Sequence, residues 1–217
     1  MSYKLAHYST FLGFGFRIYV LKKIPMTTPT SGIAYFSKPG AQNTEETLRL
    51  AKERADSLSV RNIVVASSTG KTGVLASEIF HGYNLVVVTH VTGFNEPNVQ
   101  RLTPENRRII EEKGGRIITA GHAFGGLGRA INRKFNAIQV DEIIANVLRL
   151  FGQGTKVACE VCCMAVDAGL IRTDELAVGI GGSGGGADTA LVLSPSNTHT
   201  FFNMRINEVI CKPGKFN

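Results

Sequence analysis

A short polar run at residues 67–72 has the residue types that bind a phosphate group. These residues are Ser67, Ser68, Thr69, Gly70, Lys71 and Thr72. They separate an apolar stretch from a helical pattern, so backbone N–H groups at a helix start would join the hydroxyls and the lysine as donors. A full ATP-binding loop would need a glycine at position 65, where Val65 stands. The run therefore predicts a site for one phosphate monoester, with ordinary helix capping by Ser and Thr as the alternative.

A second loop, residues 182–189, is rich in glycine and contains the formal dinucleotide pattern G-x-G-x-x-A. That pattern requires a following helix, whereas a strand-like run follows here. Glycines still let the backbone approach a ligand closely. We expect Asp188 to accept hydrogen bonds from ligand hydroxyls and Thr189 to donate one, and a plain hairpin loop is the alternative. The binding residues predicted in this loop are Gly182, Ser183, Gly184, Asp188 and Thr189.

Two histidines and one arginine complete the candidates. His90 ends an apolar stretch, and His122 and Arg129 lie in a glycine-containing segment at residues 121–129. An arginine can bind a phosphate through two hydrogen bonds. A histidine can transfer a proton or simply donate a hydrogen bond. His90 and His122 are thus the only candidates for catalysis, and a purely structural role for each stays open.

Other chemistry has no matching pattern in the sequence. There is no nucleophile elbow with an ordered Ser–His–Asp set, no paired-carboxylate constellation and no cluster of metal ligands. Cys159, Cys162 and Cys163 share a stretch with the periodicity of a core helix, so we expect buried thiols and no zinc or redox site. The sequence predicts a site for a polar, hydroxylated, phosphate-bearing ligand, no metal, and no identifiable reaction.

The elements that would position these residues alternate between strand and helix. Strand-like runs occupy residues 33–36, 62–67, 85–90 and 116–121, and three more follow residue 175 without helices between them. Helices are predicted after Asn43, with Glu46 as its capping-box partner, at 71–80, after Thr103, and at 140–170 with a break near 152–154. Residues 121–135 are predicted as a glycine-rich loop. This order indicates an α/β fold with a mostly parallel sheet, whose ligands bind at the carboxyl ends of the strands.

Composition limits the partners and the compartment. The net charge of the 217 residues is +7, but residues 1–26 contribute four of these charges and the C-terminal tail two, so no nucleic-acid partner is expected. Residues 10–24 are apolar but too short for a membrane span. Four cysteines without a disulfide pattern favour the cytoplasm. We predict an extension at residues 1–30 and a single α/β domain at 31–217, with a homo-oligomer left open.

Two segments carry a resemblance to a known family. Residues 61–90 (RNIVVASSTGKTGVLASEI…NLVVVTH) resemble the phosphate-loop unit of the pyruvate kinase C-terminal domain, and residues 177–195 (AVGIGGSGGGADTALVLSP) resemble its effector loop. The sequence is more similar still to a group of stand-alone, mainly archaeal proteins, which have counterparts of FSKPGAQNTEETL, THVTGF and GHAFGGLGRAI. The resemblance covers residues 33–213. It implies a three-layer α/β/α fold and, in part of the group, a bound flavin mononucleotide (FMN) without an established reaction.

Carried onto this sequence, the resemblance implies an FMN phosphate on residues 67–72. The flavin and ribityl contacts it implies are His90, Gly93, Phe94, His122, Gly125, Gly126 and residues 182–189. A flavin-dependent oxidoreductase is then the expected enzyme class. Pyruvate kinase activity is not expected, because its catalytic barrel alone needs about 250 residues. A non-catalytic module for a sugar phosphate or nucleotide effector stays open, as does a phosphatase or isomerase that uses His122.

Overall fold

The computed structural model describes residues 32–214, and a seven-stranded mixed sheet forms its centre. The strands, in chain order, are β1 (Ala34–Phe36), β2 (Asn62–Ala66), β3 (Asn84–Thr89), β4 (Arg116–Thr119), β5 (Ala177–Gly181), β6 (Thr189–Ser194) and β7 (Arg205–Pro213). Across the sheet their order is β1-β7-β6-β5-β2-β3-β4. The extension predicted at residues 1–30 lies outside the described residues, and its boundary stays a prediction.

The sheet is mostly parallel, as the sequence predicts. β2 pairs in parallel with β3 and β5, β3 with β4, and β1 with β7. Only β6 runs against both of its neighbours, β5 and β7. Six of the seven strands therefore end at the same edge of the sheet, which we call the carboxyl edge.

Helices cover both faces of the sheet. Residues 32–214 contain six α-helices: α1 (Thr44–Leu58), α2 (Lys71–Ile79), α3 (Pro104–Glu112), α4 (Leu127–Phe135), α5 (Val140–Arg149) and α6 (Gln153–Asp167). The buried apolar side chains of α1, α2 and α3 form one core cluster with the sheet, and those of α5 and α6 form a second. The chain thus has the three-layer α/β/α fold, as expected.

The central strands explain this two-sided burial. In β2, Ile63 and Val65 belong to the first cluster, whereas Val64 belongs to the second. Successive side chains of a strand point to opposite faces, so an uninterrupted apolar run supplies both cores. Such continuous runs are typical of parallel strands between two helical layers.

Two local predictions are wrong. Residues 127–135, predicted as loop, form helix α4, in which Leu127, Ile131 and Phe135 repeat every fourth residue. The capping box of Asn43 and Glu46 does not form. Asn43 precedes α1, but its side chain donates to the backbone oxygen of Lys38 at 2.8 Å, and Glu46 pairs with Arg49 at 2.6 Å. The predicted cap of α3 is confirmed, because the Thr103 hydroxyl accepts from the Asn106 N–H at 3.2 Å.

Two further expectations concern membranes and thiols. None of the helices in residues 32–214 combines the length and the apolarity that crossing a bilayer requires. Cys159, Cys162, Cys163 and Cys211 are all free and buried. Burial raises the pKa of the Cys159 thiol to about 12, so it stays protonated and behaves as a core side chain.

Candidate functional site

The candidate residues come together at the carboxyl edge. They lie in the loops after β2, β3, β4 and β5 or in the first residues of the elements that follow these loops, and the four strands are neighbours in the sheet. The chain proceeds from β2 towards β4 on one side and enters β5 on the other, so the junction of β2 and β5 is a topological switch point. The loop after β1, residues 37–43, ends at the same edge and was not predicted as part of the site.

The 67–72 loop exposes the start of α2. Gly70 has a φ of 93° and precedes the first helical residue, Lys71, whose side chain is exposed. Within residues 32–214, the backbone N–H groups of Gly70, Lys71 and Thr72 have no protein acceptor. The Ser67 hydroxyl is used internally, since it accepts from the Gly73 N–H at 3.0 Å. The open N–H groups at a helix start leave the loop able to bind one anion.

Helix α3 fixes the shape of this loop. The Thr69 backbone oxygen accepts from the Asn106 side chain at 2.9 Å. A Cβ atom at Gly70 would lie 2.5 Å from Cβ of Asn106 and 2.6 Å from Cδ1 of Leu102. Asn106 and Leu102 are therefore positioning residues that the sequence analysis missed. Their only sequence signal is their place beside the Thr103 cap.

Three aromatic rings form a cluster next to the loop. The ring centroids of His90 and Phe94 are 4.5 Å apart, those of Phe94 and His122 are 5.0 Å apart, and those of His90 and His122 are 5.2 Å apart. The Arg129 guanidinium lies 4.9 Å from the centroid of the Phe94 ring. Ser68 Oγ is 3.3 Å from Nε2 of His90, which joins the cluster to the phosphate loop. The structure thus brings five predicted residues, from the segments that follow β2, β3 and β4, into one contact group.

Both histidines of the cluster are held neutral. Burial lowers the pKa of His90 to about 4, and the charge that a protonated His122 would carry and the positive charge of Arg101 act in the same direction. Burial also lowers the pKa of His122, against the opposing influence of Glu160. Nδ1 of His90 is buried and has no hydrogen-bond partner among the described residues. Because unpaired buried polar atoms are rare, this nitrogen is a candidate contact for a ligand.

A buried ion pair supports the loop that contains His122. Lys156 and Glu160, one turn apart in α6, form a salt bridge with both side chains almost fully buried. Oε1 of Glu160 also accepts from the Phe124 N–H at 2.9 Å, and burial lowers the pKa of Lys156. The pair therefore positions residues 122–125. The ion pair was not predicted, although the i,i+4 spacing of its opposite charges is a usable sequence signal.

The polar groups of the glycine-rich loop form hydrogen bonds with other groups of the protein. Asp188 is fully buried and its carboxylate accepts from Gly40 N at 3.0 Å, Ser183 N at 3.1 Å and the Thr189 hydroxyl at 2.8 Å. Asp188 and Thr189 thus form hydrogen bonds within the protein, and their contact with a ligand stays a prediction. Gly184 is exposed, and a Cβ added there would meet no atom within 4 Å. This loop borders the site mainly through its backbone.

The remaining predicted residues shape turns. Gly93 has a φ of 82° and its N–H donates to the Val99 oxygen at 3.0 Å. Gly125 is buried under the Arg129 side chain, and Gly126 precedes α4. Among residues 32–214 there is no group of three or more potential metal ligands.

Comparison with known proteins identifies the domain. The family model described as "Pyruvate kinase, alpha/beta domain" matches residues 45–193, more than half of the chain. Among solved structures, a pyruvate kinase from Cryptosporidium parvum is 19% identical, over 66% of this chain and 21% of its own, with a TM-score of 0.34. The same organism's pyruvate kinase in complex with ADP is 20% identical, over 72% of this chain and 24% of its own, with a TM-score of 0.35. The chain thus corresponds to less than a quarter of these kinases, and likeness at this level says nothing about ligand or activity.

Proposed function

Because the chain belongs to the pyruvate kinase alpha/beta domain family, we propose that the carboxyl edge of its sheet binds a phosphorylated ligand, and that this ligand is FMN. The observation that carries the proposal is the pairing of two unlike features. The start of α2 offers backbone N–H groups that have no acceptor in the described part of the chain, and the aromatic cluster lies beside it. FMN has a phosphate at one end and an aromatic ring at the other.

The phosphate end fits the 67–72 loop. The N–H groups of Lys71 and Thr72 point out of the helix start, where the helix dipole favours an anion. Ser68 and Thr69 are partly exposed and add hydroxyl donors. Lys71 adds a charge at the protein surface. This set suits a single phosphate group.

The ring end fits the aromatic cluster. The glycine-rich loop has no aromatic residue, but His90, Phe94 and His122 supply three partly exposed rings. Two strand spacings, about 10 Å, separate the loop after β2 from the loop after β4, and the ribityl chain would cross this distance. The unpaired Nδ1 of His90 would hydrogen-bond to the ligand. The rings, Gly125 and Gly126 are the contacts we propose for the flavin.

A bound flavin would supply electron transfer, and the protein would supply binding and orientation. The two histidines would be neutral at pH 7, because burial lowers the pKa of each. A neutral His122 could accept a proton from a substrate, which makes it the first residue to test for catalysis. We propose a flavin-dependent oxidoreductase as the enzyme class, in the cytoplasm, where four unpaired thiols would stay reduced.

FMN titration of the purified protein tests the proposal. We expect a yellow protein, or quenching of FMN fluorescence on addition, with weaker binding of riboflavin, which lacks the phosphate. The double variant Lys71→Ala/Thr72→Ala should weaken FMN binding by about 2–4 kcal/mol and leave riboflavin binding unchanged. The control is Lys113→Ala, which removes an exposed lysine just after α3, away from the carboxyl edge.

The alternative is a regulatory module for a sugar phosphate or nucleotide, and the same loop supports it. Thermal stabilisation by fructose 1,6-bisphosphate or AMP, lost in Lys71→Ala/Thr72→Ala, together with no response to FMN, would favour that function. A colourless protein that neither quenches FMN fluorescence nor gains thermal stability with FMN would end the flavin proposal.

We also propose a homo-oligomer. Apolar side chains on α4, on α5 and after α5 are highly exposed: Leu127 (83%), Phe135 (66%), Val140 (72%) and Leu150 (81%). Large exposed apolar side chains on neighbouring helices are typical of an interaction site, and a second copy of the chain would cover them. Sedimentation velocity of the purified protein measures the state directly, and a monomer at all concentrations would reject the proposal.

A further inference from the structure

A polar cavity lies between α4 and α5, beside the proposed FMN site. Its volume is about 390 Å³, which falls in the size range of small-molecule pockets. Phe124 and Ala145, both almost fully buried, line its apolar side. The polar lining residues are Arg129, Asn132, Arg133, Glu142, Asn146 and Arg149. This small cavity is therefore lined by three arginines.

None of the three arginines has a carboxylate partner among residues 32–214, whereas the arginines of α3 pair with glutamates one turn away. Arg129 lies over the Phe94 ring. Arg149 is oriented by neutral acceptors, since its Nε donates to Gln153 Oε1 at 2.7 Å and its Nη1 to Asn146 Oδ1 at 2.8 Å. Its Nη2 group is left without an acceptor in the described part of the chain. Arg129 and Arg149 are therefore held in place without a salt bridge among the described residues, and Arg133 is exposed.

The single acidic group of the lining is already occupied. Glu142 accepts from the Asn132 side chain at 3.0 and 2.7 Å and from the Gln139 N–H at 3.1 Å, which caps the start of α5. Its carboxylate is thus committed to joining α4 to α5. The lining has three formal positive charges and one negative charge, and the side-chain amide of Asn146 adds a donor.

We propose that this cavity is a second binding site, for a small molecule with two or more carboxylate or phosphate groups. Arginine binds both groups through paired N–H donors, and several unneutralised guanidinium groups favour a multivalent anion over a monovalent one. Arg133 and Arg149 lie outside the residues proposed for FMN, so the inference does not depend on FMN binding. Arg129 and Gly125 border both sites.

Calorimetric and thermal-shift titrations of the FMN-free protein test this site. The probes are pyrophosphate and citrate, with sodium acetate and sodium chloride at matched ionic strength as references. We expect saturable binding and an increase in Tm with at least one of the two multivalent anions, and no such effect with acetate or chloride. The relative response to pyrophosphate and citrate distinguishes a phosphate ligand from a carboxylate ligand.

Matched variants locate the binding. Arg133→Gln/Arg149→Gln should weaken the anion at least tenfold, whereas Arg107→Gln/Arg108→Gln, which removes the same charge from α3, should not. If the first double variant fails to fold, the single change at the exposed Arg133 should still weaken binding several-fold. Equal loss in both double variants, full affinity in the cavity variants, or loss only in Lys71→Ala/Thr72→Ala would overturn the proposal. The last result would assign the anion to the 67–72 loop. It would reject the cavity as an anion site and leave the FMN proposal standing.

Discussion

The two glycine-containing loops on either side of the switch point look alike in sequence and differ in structure. The 67–72 loop keeps helix N–H groups open and has few internal bonds. In the 182–189 loop, Asp188 is fully buried and accepts three hydrogen bonds from Gly40, Ser183 and Thr189. The first loop is therefore the one that we propose for the ligand, and the second uses its buried carboxylate within the protein. The residue type indicates which contacts a side chain can make. Its hydrogen-bond partners in the structure determine whether its polar atoms are also open to a ligand.

The largest expected effect concerns Asp188 in the 182–189 loop. Asp188→Ala removes an acceptor from two backbone N–H groups and one hydroxyl in a buried place, so we expect the free energy of unfolding to fall by about 3–5 kcal/mol. Urea denaturation followed by circular dichroism measures this. Thr72→Ala, at the other loop, serves as the control and should cost far less. If Asp188→Ala kept its stability but lost FMN binding, the roles of the two loops would have to be exchanged.

The same two loops show which parts of the fold and of the site can be predicted from the sequence. The mainly apolar runs at residues 62–67 and 85–90 predicted strands of a mostly parallel sheet, and both faces of the observed strands are covered. From strand order alone, the four loops could be assigned to one edge. The hydrogen bond from the Gly40 N–H to Asp188 could not be predicted, because it joins residues 148 positions apart. The rings of His90, Phe94 and His122 were predicted singly, and their contact appears only when β3 and β4 pair.

The prediction of residues 127–135 as a loop was wrong for a different reason. The repeat of Leu127, Ile131 and Phe135 is helical, but glycines at the start of the segment suggested a loop. The apolar side chains of this repeat are exposed, so burial within the described chain does not explain them. Periodicity was the better guide there, because a glycine lowers helix propensity by only about 1 kcal/mol.

An intermediate effect is expected at Gly70, where the open loop meets α3. Gly70→Ala places a methyl group 2.5 Å from Asn106 Cβ at a φ of 93°, so we expect a loss of about 2–4 kcal/mol in unfolding free energy. Gly82→Ala is the matched control. Its φ of 81° is similar, but a Cβ there meets no atom within 4 Å, and the expected loss is about 1 kcal/mol. Equal losses would show that backbone strain alone, and not packing against α3, shapes the loop.

The smallest expected effect concerns pH and the aromatic cluster. Burial lowers the pKa of His90 to about 4, and the charges of His122, Arg101 and Arg129 lower it while Glu160 raises it. In the unfolded chain the same imidazole takes a proton near pH 6.5, so between pH 6.5 and 4 the unfolded state binds more protons than the folded state. The stability difference between the native protein and His90→Gln should therefore be constant above pH 6.5 and change below it in favour of the variant.

Urea titrations at pH 7.5, 6 and 5 measure this difference, with His81→Gln, at an exposed histidine after α2, as the control. A difference that stays the same at all three pH values would mean that His90 is as easily protonated in the folded protein as in the unfolded chain. The same titration with FMN present separates two roles of His90. If its unpaired Nδ1 contacts the ligand, FMN should stabilise the native protein more than His90→Gln at pH 7.5, where the protonation of this group no longer differs between folded and unfolded states.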